Sequence, residues 1–98
     1  MILYEVILDV ESSVANRVDE HMRRRHIPVI FETGCFRRIR FQRASDQRFR
    51  TSYEAETGAD LERYLRDHAP ALRAEFLAEF PVGVRLTREI WTEAESWG

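Results

Sequence analysis

The chain contains no lysine; all fifteen of its basic residues are arginine. Seventeen Asp and Glu offset them, leaving a formal net charge of −2, so the basic surplus that a general nucleic-acid binder needs is missing. A single cysteine, Cys35, excludes an internal disulfide and fits a reducing compartment. No apolar run approaches the roughly 18 residues that cross a bilayer, and the opening MILYEVILDV has no basic n-region like that of a secretory signal. The expected location is the cytoplasm, with neither membrane nor nucleic acid as a partner. No Cys/His cluster has zinc spacing, and His21 and His26, five apart, fall off a common α-helical face. No P-loop, dinucleotide fingerprint or Ser-His-Asp arrangement occurs. No metal and no cofactor are therefore expected.

What is present describes one small domain. Ninety-eight residues leave no room for a second core, and 44% hydrophobic with 33% charged residues is an ordinary globular composition. Residues 2–10 are β-branched, aromatic-rich and alternating, which predicts a strand. Val14, Val18, Met22 and His26 recur every four residues and predict a helix that Pro28 ends. CFRRIRFQR and RFRTSYEAE, joined by Ala44–Gln47, read as a strand hairpin. A second helix opens at Thr57–Asp60, carries Leu61, Tyr64, His68, Leu72, Phe76 and Phe80 inward, and should be kinked or divided at Pro70. After Pro81, VGVRLTREIW forms the last strand, and residues 92–98 make a polar tail. The order is βαββαβ, an α+β ferredoxin-like fold with a four-stranded antiparallel sheet spanning residues 1–98. "RRHIP" at Arg24–Pro28 and "RDHAP" at Arg66–Pro70 lie 42 residues apart and mark equivalent helix ends in its two halves.

The strand alternation divides the sheet into two unlike faces. Ile39, Phe41, Phe49, Tyr53, Val82, Val84, Leu86 and the even positions of strand one form an apolar face for the helices. The other face mixes Glu5, Arg38, Arg40, Arg50, Glu54 and Arg85 with Leu3, Ile7 and Trp91. Three occupants suit it: water alone, a second copy pairing Arg with Glu, or single-stranded nucleic acid. The last is disfavoured because the aromatics of strand three point to the helices. A homodimer fits best.

"MILYEVILDV", "HIP", "TGCF" and "DHAPALRAEFLAEF" resemble, over nearly the whole chain, a family of small bacterial proteins known as a domain of unknown function. The resemblance implies the dimeric α/β-barrel superfamily, in which two ferredoxin-like sheets pack into one barrel around a cavity. Relatives there include cofactor-free monooxygenases that use Asn, Trp and His around the cavity. Here the only Asn is Asn16, on helix one, and Trp91 is the only Trp within a strand.

The expected function is binding of a small anionic or aromatic molecule between the sheets of a homodimer. Glu5, Arg38, Arg40, Arg50, Glu54 and Trp91 are the candidate ligand-binding residues. The alternatives are a cofactor-free monooxygenase or isomerase on the same cavity, and a structural dimer with no ligand site. For catalysis the candidates are His26 and His68, because imidazole titrates near neutrality. The competing reading of each is a packed histidine at a helix C-terminus. Cys35 is expected as a small buried residue, and Arg23–Arg25 as an exposed helix end.

Overall fold

Alternation turns into a sheet wherever one face can be buried. In the computed structural model, which describes all 98 residues, strand β1 (Ile2–Val10) occupies an inner position. Strands β2 (Arg38–Ser45) and β3 (Arg48–Ala55) form the hairpin, and β4 (Val84–Thr92) closes the other edge. The sheet order is β2-β3-β1-β4 and every pairing is antiparallel. Tyr4 stands opposite Tyr53, Leu8 opposite Phe49 and Leu86, and Val10 opposite Val84. This register carries Tyr4, Val6, Leu8, Val10, Phe49 and Tyr53 into one buried core with the helices. The ferredoxin-like order expected from the sequence is the one observed.

The first helical crossover runs as α1 (Ser12–His21), a π-helical turn (Met22–His26) and α2 (Ile27–Glu32). Pro28 therefore does not end the helix, contrary to expectation. The Ile27 N–H donates to the Met22 carbonyl five residues back, which widens the ladder and restarts it. Pro28 then falls in the first turn of α2, where a missing donor is tolerated. The helical path stops instead at Thr33-Gly34, with Gly34 at φ 74°, a left-handed value that suits glycine. Cys35 and Phe36 were expected to start the second strand; they precede it and are buried in the core.

The second crossover begins where the sequence places it. Thr57 caps α3 (Gly58–Asp67), its hydroxyl accepting from the Asp60 N–H at 3.2 Å. At His68 the chain leaves helical geometry, and α4 (Ala69–Glu79) follows with Pro70 in its first turn. Pro70 thus divides the helix as expected. Leu61, Tyr64, Ala69, Leu72 and Phe76 are the buried residues of the pair, and Phe80 at the end of α4 is buried with them. Gly83, at φ 86°, turns the chain into β4 against Val14, which a Cβ there would meet at 3.2 Å.

Candidate functional site

The helices do not fill all the space above the sheet. A cavity of about 430 Å³ lies between the helix-facing side chains of β1, β3 and β4 and those of the π turn, α3 and α4. Its apolar walls are Val6, Leu8, Met22, Leu72, Phe76, Phe80, Val84 and Leu86. Such a volume and lining are typical of small-molecule sites. Its polar groups are few: Tyr4, Tyr53, Tyr64, His26, Arg73 and Arg88.

Three tyrosines converge because β-sheet register and helix packing put them together. Tyr4 and Tyr53 are cross-strand partners with ring centroids 5.7 Å apart, and Tyr64 of α3 stacks on Tyr53 at 6.4 Å. Burial first, then the neighbouring Tyr64, pushes the Tyr53 hydroxyl far above the ordinary tyrosine range. Burial also raises Tyr64, with Tyr4 adding to the rise while Arg73 and Arg88 partly oppose it. Both phenols stay neutral donors at any working pH. The Tyr4 hydroxyl accepts from the Arg73 guanidinium at 3.2 Å.

The π turn accounts for the position of the histidines. The wider π turn, with its hydrogen bond five residues back, rotates positions five apart toward one face, and the His21 and His26 rings lie 6.0 Å apart. The expectation that their spacing takes them off a common face is thereby corrected; it holds for an α-helix and fails at a π turn. Both rings meet the edge of Phe76, at 5.9 and 5.7 Å, and His21 also meets Phe80 at 5.5 Å. The His21 Nε2 is buried with no hydrogen-bond partner. Burial, reinforced by His21 and opposed by Glu75, lowers His26 from 6.5 to about 4. At neutral pH, His26 thus presents an uncharged imidazole to the cavity. No group of three His, Cys, Asp or Glu side chains could hold a metal ion.

Of the candidates taken from the sequence, only His26 lines this cavity. His68 sits at the α3–α4 break and stacks its ring on Tyr64 at 6.4 Å, outside the lining. Glu5, Arg38, Arg40, Arg50, Glu54 and Trp91 all stand on the opposite face of the sheet, in register with Leu3, Ile7 and Ser52. There Arg50 reaches Glu5 at 3.8 Å and donates to Gln42 at 3.0 Å, and Arg38 is 4.0 Å from Glu54. Glu5 and Arg50 border a broad concavity of about 820 Å³ together with Ile7, Gln42 and Glu89. Arg40 has no carboxylate partner, and Trp91 is half exposed. Asn16 is exposed on α1, so no Asn or Trp accompanies His26 in the cavity lining.

Arg73, Arg88 and Tyr64 were absent from the expected ligand set. For Arg88 a signal existed. It lies two residues beyond Leu86, opposite Val6, and so on the helix-facing side of β4. A charge at that position breaks the apolar alternation of the strand's buried face. Arg73 carried no such mark, because it is exposed on α4 and reaches the cavity lining by its length.

Solved structures of the same architecture are numerous at low identity. An ethyl tert-butyl ether degradation (EthD) family protein from Bacillus halodurans superposes with a TM-score of 0.73 at 18% identity, over 95% of this chain and 99% of its own. SnoaB from Streptomyces nogalater, a cofactor-independent oxygenase solved as an Asn-to-Ala variant, gives 0.69 at 12% identity, over 97% of this chain and 94% of its own. An antibiotic biosynthesis monooxygenase candidate from Nitrosomonas europaea gives 0.68 at 17% identity, over 97% and 100%. At these identities the likeness shows the shared fold. No curated protein sequence matches. The family model described as "Domain of unknown function (DUF4286)" matches residues 1–93, and the chain belongs to that family.

Proposed function

We propose that this protein binds a small, largely apolar molecule with a ring-sized body in the cavity between its sheet and its helices. The observation that carries the reading is the cavity itself: about 430 Å³, walled by aliphatic and aromatic side chains, with a few polar groups converging on it. What sets it apart from the larger concavity on the open face is its lining, which is mostly aliphatic and aromatic rather than charged. Mapping where the uncharged fluorophore N-phenyl-1-naphthylamine binds tests it: amide shifts should move at Val6, Leu8, Phe76 and Leu86.

A catalytic use of the same cavity is a second reading, favoured by His26. An uncharged imidazole held against an apolar pocket can accept a proton from a bound acid without a cofactor, and a neighbour of the same fold is a cofactor-independent oxygenase. Its measurement is turnover of a candidate substrate by His26→Phe: lost turnover with retained binding supports it, and unchanged turnover excludes His26 as the base.

We further infer that the other sheet face is covered by a second copy of the chain. Arg and Glu alternate on it with Leu3, Ile7 and Trp91, so a twofold mate would meet opposite charges and apolar area together. Sedimentation at micromolar concentration should give twice the chain mass; a monomer would exclude this pairing. No helix is long and apolar enough to cross a membrane, and the free Cys35 fits a reducing cytoplasm.

A further inference from the structure

We propose that the cavity ligand is an anion, held at the mouth by Arg73 and Arg88; this rests on the cavity being a ligand site and adds the charge of its occupant. The first ground is the distribution of ion pairs. Eleven of the fifteen arginines lie within 4.0 Å of a carboxylate, and Arg37, Arg40, Arg73 and Arg88 do not. Two of those four line the same cavity. Both arginines of the cavity lining are thus left without a carboxylate partner.

The second ground is the lining. Seventeen Asp and Glu occur in the chain, and none lines the cavity. Any anion entering it therefore meets two positive groups and no negative one. The third ground is orientation. Arg73 comes from α4 and Arg88 from β4, so the two approach the mouth from the helix layer and from the sheet. Arg73 is steadied by its donation to the Tyr4 hydroxyl at 3.2 Å, which leaves the Tyr4 O–H free to donate toward the same mouth. A guanidinium holds a carboxylate or sulfonate through a planar, two-bond fork. The ligand class is accordingly an amphipathic monoanion: an apolar ring system or short branched chain inside, one carboxylate or sulfonate at the rim.

Two fluorophores of matched shape separate this inference from the reading beneath it. They are 1-anilinonaphthalene-8-sulfonate and its uncharged parent, N-phenyl-1-naphthylamine, titrated into the folded protein. The sulfonate should bind about tenfold tighter or better, the size of one or two charge-assisted hydrogen bonds. The double variant Arg73→Gln/Arg88→Gln should lose that preference while still binding the uncharged parent. Arg37→Gln, which removes an equally unpaired charge outside the lining, should keep it. Arg88→Lys should retain part of the preference, since the charge remains and the fork does not. If the parent binds and the sulfonate binds no tighter, the anion assignment is overturned and the cavity reading stands. Retention of the preference in the double variant also overturns it. If neither dye binds, the cavity reading itself fails, and the assignment with it.

Discussion

Phe76→Ala should lower stability by about 3–5 kcal/mol, because truncating a buried phenylalanine loses both its transfer energy and the packing around the hole. Phe76 is 5% exposed, lines the cavity beside His26, and meets the rings of His21, His26 and Phe80, the last at 5.1 Å. A domain of this size has about 5–15 kcal/mol of stability in all. The loss should therefore appear as a fall in Tm of more than about 12 °C in circular-dichroism melts. Leu77, next to it on α4, is 63% exposed although it borders the cavity mouth; Leu77→Ala should cost under about 1 kcal/mol. Equal losses at the two positions would show that α4 does not present Phe76 to a packed wall.

Acidification should remove about 3 kcal/mol between pH 6.5 and pH 4, through His26 alone. Its folded value of about 4 lies below the unfolded 6.5. Between those limits the unfolded chain binds the proton and the folded chain does not, so stability rises with pH across the window and falls as pH drops through it. Below pH 4 both states are protonated and the contribution is gone. The groups facing His26 are His21, which lowers it further, and Glu75, which acts the other way and is itself held low by its hydrogen bond from Arg25 at 2.8 Å. Urea melts at half-unit pH steps should show the loss in the wild type and a flattened profile in His26→Phe over the same window. A wild-type stability constant from pH 6.5 to 4 would mean that His26 reaches water and is not buried against Phe76.

Much of this architecture was legible because strand alternation and proline punctuation are local. The β1 pattern, the Asp46-Gln47 hairpin, the Thr57 cap and the break near Pro70 each follow from a few neighbouring residues. The site was legible only in part. His26 was reachable because a four-residue repeat from Val14 to His26 points inward. The π turn was not, because hydrogen bonding five residues back leaves no mark in an apolar repeat. It hid both the continuation through Pro28 and the approach of the His21 and His26 rings to 6.0 Å. The charged face drew attention to Arg38, Arg40 and Arg50, which are conspicuous along their strands. Arg73 and Arg88 are single charges on different elements, and only the tertiary packing of α4 over β4 brings them to one cavity. Pattern within one segment finds faces; a mouth assembled from two segments needs the fold.

The central claim is that the ligand site lies between sheet and helices rather than on the open sheet face. Backbone amide shift mapping with N-phenyl-1-naphthylamine tests it most directly. The predicted result is a contiguous set of shifts at Val6, Leu8, Met22, Phe76, Val84 and Leu86, residues that share the cavity wall. Shifts confined to the open-face residues Glu5, Arg38, Arg40, Arg50, Glu54 and Trp91, with the cavity wall unmoved, would contradict it.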